Sequence, residues 1–337
     1  MSLSIKHLIL SALLFIFSFA SMFALAAENN QSGEQGVKIK SPATDLWRAV
    51  RQREFQGSTD FTAKTQVKTL NAGRLINAEG NEWRKLRREK VIPYSAYFIL
   101  GVIALLALIT ILVRPVKIPN GRSGENIPRM SVMHRIVHWF MALLVIAMGL
   151  TGMVILFGRV ALIPFTGSET FSLIASPSLE IHNFLGLGVV FSFVIFLVYF
   201  IRHNLPALCD FKWLITLGGL LAKKHLENGF FNAGEKILFW LTILFGFTLS
   251  ATGLLLFFPE YQTLVKLNSQ WLIVIHSIAA LFMIALILGH IWMVRTVKGT
   301  LEAITKGTVD ANWAKSHHSI WYKKVIEKSA LMDKSKQ

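Results

Sequence analysis

Apolar residues gather in five long runs along this chain, at 94–113, 137–157, 184–201, 237–258 and 271–294, and charged stretches separate them. A bilayer core about 30 Å thick needs about 20 apolar residues of helix to cross it, and all five runs are of that order. A sixth run, 213–222, is too short to span and predicts an interfacial or loop segment. The first 26 residues read as a secretory signal: Lys6 supplies a short positive region, an apolar stretch follows, and Ala24-Leu25-Ala26 forms an A-x-A cleavage site. The competing reading is a sixth membrane helix. Residues 27–93 are polar, of mixed charge, and contain no spanning run, so cleavage would leave them outside the cytoplasm. They serve there either as a small docking surface or as a solvated tether. The pattern predicts an all-α membrane protein.

Composition agrees, since 53% of the 337 residues are hydrophobic and only 16% charged. The formal charge of +16 could suggest a nucleic-acid partner, but its distribution argues for membrane orientation and against nucleic acid. Segments 114–136, 202–236 and 295–337 carry 5, 5 and 9 lysines and arginines, whereas the alternating segments 158–181 and 259–270 carry one each, Arg159 and Lys266. Nineteen against two is a positive-inside signal, and it places the C-terminus in the cytoplasm. The cluster Arg84, Lys85, Arg87, Arg88 and Lys90 runs against the rule, standing before the first span on the exported side. An upstream export signal accounts for it. The single cysteine, Cys209, excludes both an internal disulfide and an iron–sulfur cluster held by this chain alone.

Histidines inside the apolar runs carry the candidate chemistry. His276 and His290 are 14 residues apart in one run. That is about 21 Å of helix and within about 40° of a whole number of turns, so both leave one helix face near opposite membrane surfaces. An ionisable group in hydrocarbon needs a partner. His138 begins the second run at the depth of His290, and His182 begins the third at the depth of His276. Four imidazoles, matched two by two, suit two haem irons with two axial nitrogens each. Gly149, Gly152, Gly186, Gly188, Gly246 and Gly253 lie beside the ligands or in their helices, where close helix packing also uses small residues. His134, one turn before His138, competes for the cytoplasmic ligand but sits further into the interface beside Arg135. His203, His225, His317 and His318 fall in polar stretches, lack an apolar setting, and are expected not to ligate. Arg135, Arg202 and Arg295 stand at cytoplasmic depth, available to haem propionates or as topology-setting charges.

The run from about Arg135 to Tyr322 resembles the cytochrome b (gamma) subunit of membrane-bound formate dehydrogenases. The matching pieces are RIVHW, IHNFLGL, FIRHNLP, FNAGEKILFW, the IH and GH of the fifth span, VKGT and WAKSHHSIWY. The cytochrome b subunit of nickel–iron hydrogenases shares the general plan. The resemblance implies a four-helix di-haem bundle over 134–296 with one additional N-terminal transmembrane helix at 94–113, as in the longer version of the subunit. A cytoplasmic linker (114–133) and a cytoplasmic tail (297–337) complete the expected organisation. His138 with His290 would hold a cytoplasmic-side b haem, and His182 with His276 a periplasmic-side one. A quinone site, for menaquinone or ubiquinone, would be built partly from Asn232 and Gly234, where an Asn-Ala-Gly turn also suits a helix cap. Glu235 stands where the four-helix version has glutamine. The implied setting is a bacterial inner membrane. An iron–sulfur (beta) subunit and a molybdenum or tungsten catalytic (alpha) subunit would lie on the periplasmic side and carry the formate chemistry.

Overall fold

The computed structural model describes residues 83–113, 115–216, 227–265 and 267–334. All belong to one unit, Ala78–Gln337. The expected signal peptide, residues 27–82 and His225 lie outside the described residues.

Among these residues, five helices are long and apolar enough to cross a membrane: α1 (Trp83–Leu112), α2 (Val132–Ala161), α3 (Ile163–Asn204), α5 (Ala233–Phe257) and α7 (Ser269–Thr296). Short helices complete the chain: α4 (Leu208–Ile215), α6 (Gln262–Val265), α8 (Thr300–Thr305), α9 (Ala311–His317) and α10 (Ser319–Lys334). Polar caps set the helix starts. Ser131 accepts from the His134 amide before α2, Asn232 from Glu235 before α5, and Asn268 from Trp271 before α7. Large apolar side chains such as Phe247 (72% exposed) and Phe191 (70%) point outward from the spans, as lipid-facing residues do.

Two helices begin earlier than hydropathy alone implies. The first apolar run opens at Tyr94, but α1 starts at Trp83 and takes the basic cluster into its first turns. A π-helical turn, Arg87–Val91, leads into Pro93, whose nitrogen has no hydrogen to donate. The segment 158–181, expected as a connection between spans, is mostly helical: α3 begins at Ile163 and changes direction at Gly167 (φ 78°, ψ 167°). A helix satisfies its own backbone in water as well as in lipid, so hydropathy marks where a span enters the bilayer, not where its helix begins.

α2 and α3 form one antiparallel hairpin, with Gly186 against Met148 and Gly158 against Phe171. α5 and α7 form the other, with Phe245 stacked on Phe282 at 5.3 Å. Met141, Val189, Phe193 and Met283 bind the hairpins together at mid-depth. α1 lies outside on α7 and runs in the same direction. Phe98 meets Phe282 at 5.2 Å towards one end, and Trp292 Nε1 donates to Thr110 Oγ1 at 2.7 Å towards the other. α3 and α5 touch where a Cβ on Gly246 would come within 2.2 Å of Phe193 Cε1. Gly246→Ala is therefore expected to cost about 1–3 kcal/mol by overpacking, read as a lower melting temperature of the detergent-purified protein.

The segments expected as linker and tail fold together into a cap at the His138/His290 end. Strand β1 (Asn126–Pro128) pairs antiparallel with β2 (Thr308–Asp310), aligning Ile127 with Val309. Val116 bridges to the end of α7 through Val116 N–Thr296 O and Lys298 N–Val116 O, each 3.0 Å. Ile127, Ala303, Val309, Ala311, Trp313 and Ala314 form the cap's own small core. Gly299 (φ 94°) is required there, because a Cβ would meet Trp313 Cδ1 at 2.7 Å.

Candidate haem sites and the cap

The structure brings His138 of α2 to His290 of α7, with ring centres 6.3 Å apart and planes at 55°. It brings His182 of α3 to His276 of α7 at 6.2 Å and 70°. A metal–imidazole bond of about 2 Å plus about 1 Å from nitrogen to ring centre, taken twice, gives about 6 Å for two imidazoles on one metal. Both pairs fit a shared iron, and among the described residues neither has an ion-pairing partner. Three helices supply the four rings, with α7 contributing one to each pair.

Behind the His182/His276 pair stand two threonines that sequence reading missed. Thr151 Oγ1 lies 2.9 Å from His182 Nδ1, and Thr252 Oγ1 lies 2.8 Å from His276 Nδ1. The signal is a Thr-Gly dipeptide that occurs once in α2 and once in α5. It is hard to recognise, because threonines bonding back to their own helix are ordinary in membrane spans. Gly152 and Gly253 give the rings room: a Cβ at either would sit 3.3 Å from His182 Cε1 or 3.5 Å from His276 Cε1.

His134 faces away from these pairs. Its Nδ1 is 2.6 Å from Ser131 Oγ, and its ring stands edge-on to Tyr199 and Phe200. With Arg129, His203, Phe230, Trp321 and Lys324 it lines a cavity of about 370 Å3 at the cap.

Asn232 closes a capping box, its Oδ1 accepting from Glu235 N at 3.0 Å and its own N donating to Glu235 Oε2 at 2.7 Å. Gly234 makes room for Trp213, whose Cη2 would lie 2.8 Å from a Cβ there. A buried Lys236–Asp210 pair at 2.7 Å fixes α4 to the start of α5. Arg135 donates to Thr305 O in the cap at 3.0 Å, whereas Arg202 and Arg295 are exposed.

One expectation is overturned. His318 does not lie in a solvated setting: it is 1% exposed, packed on Trp313 at 5.1 Å between ring centres. Its Nδ1 is 2.9 Å from Gly229 O and its Nε2 is 3.2 Å from Arg129 Nη2. Arg129, itself buried, stacks over Phe230, Trp321, Trp313 and Phe231 at 4.7, 4.8, 5.1 and 5.8 Å. Burial pushes the Arg129 guanidinium down to about 10, so it stays charged at neutral pH. The fold buries His318 by joining two segments distant in the chain, which local polarity cannot foretell.

The family model described as prokaryotic cytochrome b561 matches residues 129–307. The chain is 27% identical over 220 residues to the cytochrome b556(Fdn) subunit of the nitrate-inducible formate dehydrogenase of Escherichia coli (strain K12), covering 64% of this chain and 98% of the relative. It is 28% identical over 205 residues to the cytochrome b556(fdo) subunit of a formate dehydrogenase of the same strain, covering 60% and 94%. With the formate dehydrogenase cytochrome b556 subunit of Haemophilus influenzae it shares 30% identity over 200 residues, covering 57% and 80%.

Proposed function

Because the chain belongs to the prokaryotic cytochrome b561 family, we propose that it is the cytochrome b subunit of a formate dehydrogenase, carrying electrons through two b haems to quinone. The two imidazole pairs, each at the spacing of a shared iron, are the observation that carries the two-haem reading. The names of the relatives support the formate partner. The charge count supports a cytoplasmic side for the His138/His290 end, and the reading sets the His182/His276 end on the periplasmic side of a bacterial inner membrane.

The periplasmic partners are an iron–sulfur subunit and a molybdenum or tungsten subunit that oxidises formate. When bound, b haem supplies reversible one-electron iron chemistry. His182 and His276 hold the receiving site, and His138 and His290 the delivering one, about 21 Å away along α7. Apolar helix faces between them keep water out. We assign menaquinone or ubiquinone to the end of α5 near Asn232 and Gly234, where it would take two electrons and two cytoplasmic protons. Arg135, Arg202 and Arg295, near the His138/His290 ends of their helices, would meet the haem propionates. Inward electron movement charges the membrane, storing about 2.3 kcal/mol per elementary charge per 100 mV.

Purification of the intact membrane complex with haem counting tests this reading. Two b haems per chain, with a formate-oxidising subunit and a ferredoxin-like subunit, are expected. A nickel–iron subunit in their place would move the assignment to a hydrogenase, and a chain without porphyrin would remove the electron-transfer role.

A further inference from the structure

The two imidazole pairs differ in what stands behind them. At the His182/His276 pair each threonine hydroxyl has already given its hydrogen away, Thr151 to Ala147 O at 2.8 Å and Thr252 to Thr248 O at 2.7 Å. A hydroxyl owns one hydrogen, so towards the histidine each threonine accepts and Nδ1 carries the proton. Nε2 is left with the lone pair that a metal requires. Thr151-Gly152 on α2 and Thr252-Gly253 on α5 are thus one device used twice, each threonine holding the ring and each glycine making room for it. At the other pair, the Nδ1 atoms of His138 and His290 are buried and have no hydrogen-bond partner among the described residues.

We propose that Thr151 and Thr252 are positioning residues that hold the reduction potential of the His182/His276 haem below that of the His138/His290 haem. The proposal rests on the two-haem reading above. A hydrogen bond from Nδ1–H to an oxygen pushes electron density towards Nε2 and makes the imidazole a more basic ligand, which favours the ferric state. No described protein group gives the second pair that push, and it favours the ferrous state by comparison. One electron then leaves the periplasmic-side iron and reaches the cytoplasmic-side iron downhill. One iron is oxidised and the other reduced, and no bond or proton changes hands. The asymmetry gives the membrane-spanning route its direction before quinone is reached.

Redox titration of the haem α-bands in the intact complex tests this, with Thr151→Val, Thr252→Val and the corresponding serine variants beside wild type. Each valine is expected to raise the lower midpoint by about tenfold in the reduction equilibrium, which is about 59 mV for one electron. The upper midpoint should stay where it is, and serine should restore the lower one. His276→Ala should leave the higher-potential haem. Loss of the lower-potential haem alone in the valine variants, with its retention in the serine variants, also supports the hydrogen bond's role. Valine variants that keep both haems with unmoved midpoints would overturn the proposal. So would equal haem loss in valine and serine variants, or a low-potential survivor in His276→Ala. A wild-type complex with fewer than two haems would instead remove the reading on which the proposal rests.

Discussion

His276→Ala is expected to bring the haem content of the purified protein from two per chain to one, and His290→Ala to remove the other haem. The argument is geometric. Each ring has one partner ring at iron-sharing distance, His182 at 6.2 Å for His276 and His138 at 6.3 Å for His290. Deleting one imidazole would leave the haem a single axial ligand beside an imidazole-sized gap, and a noncovalent haem held by a single axial bond is readily lost in detergent. The pairs are separated by about 21 Å of helix, far beyond the about 7–10 Å at which substitutions couple, so the losses should be independent and should add in the double variant. His134→Ala is the control: that ring is engaged with Ser131 and the Tyr199 and Phe200 rings, and its removal should leave both haems. Pyridine haemochrome counting reads all four variants. Two six-coordinate haems remaining in either ligand variant would break the pairing.

What could be read from the chain beforehand was set by whether one local physical rule decided it. The fifth span, expected at 271–294, is the core of Ser269–Thr296, because a bilayer imposes a single length on any helix that crosses it. The histidines sort by depth for the same reason: fourteen residues of helix fix both a height and a face. The cap escaped, since Asn126 meets Asp310 through a ladder that closes over nearly the whole bundle, and no local periodicity encodes a partner so distant in sequence. The burial of His318 escapes local reading for the same reason. Its neighbours in the chain are polar, while its neighbours in space are Trp313, Arg129 and the Gly229 carbonyl. Thr151 and Thr252 were invisible in another way, because their role depends on the helix each one faces.

Acidification is expected to weaken the cap while the spans stay folded. His318 gives its Nδ1–H to Gly229 O and uses Nε2 to accept from the Arg129 guanidinium. A second proton on that ring would set N–H against N–H and bury a cation beside another. Burial, and then the Arg129 charge, hold the His318 imidazole well below its usual range, and Glu235, 3.9 Å from Nε2, does not reverse that. The sign follows. The unfolded segment takes up a proton near its ordinary pKa of about 6.5, before the folded one does, so the cap is fully stable above that pH and loses stability as pH falls below it. At pH 5.5 the loss is about 1.4 kcal/mol, roughly tenfold in the opening equilibrium. Hydrogen exchange across 308–322, corrected for the intrinsic pH dependence, should show that increase relative to pH 7.5, with α2, α3, α5 and α7 unchanged. Arg129→Gln should open the same residues at both pH values, by about 3 kcal/mol, since it removes charged hydrogen bonds to Phe230 O and His318 and the stacking on four rings. His318→Gln should abolish the pH response. Equal exchange at pH 5.5 and 7.5 in the wild-type protein would mean that the cap's stability is set by its apolar core around Val309 and Trp313, with His318 a bystander.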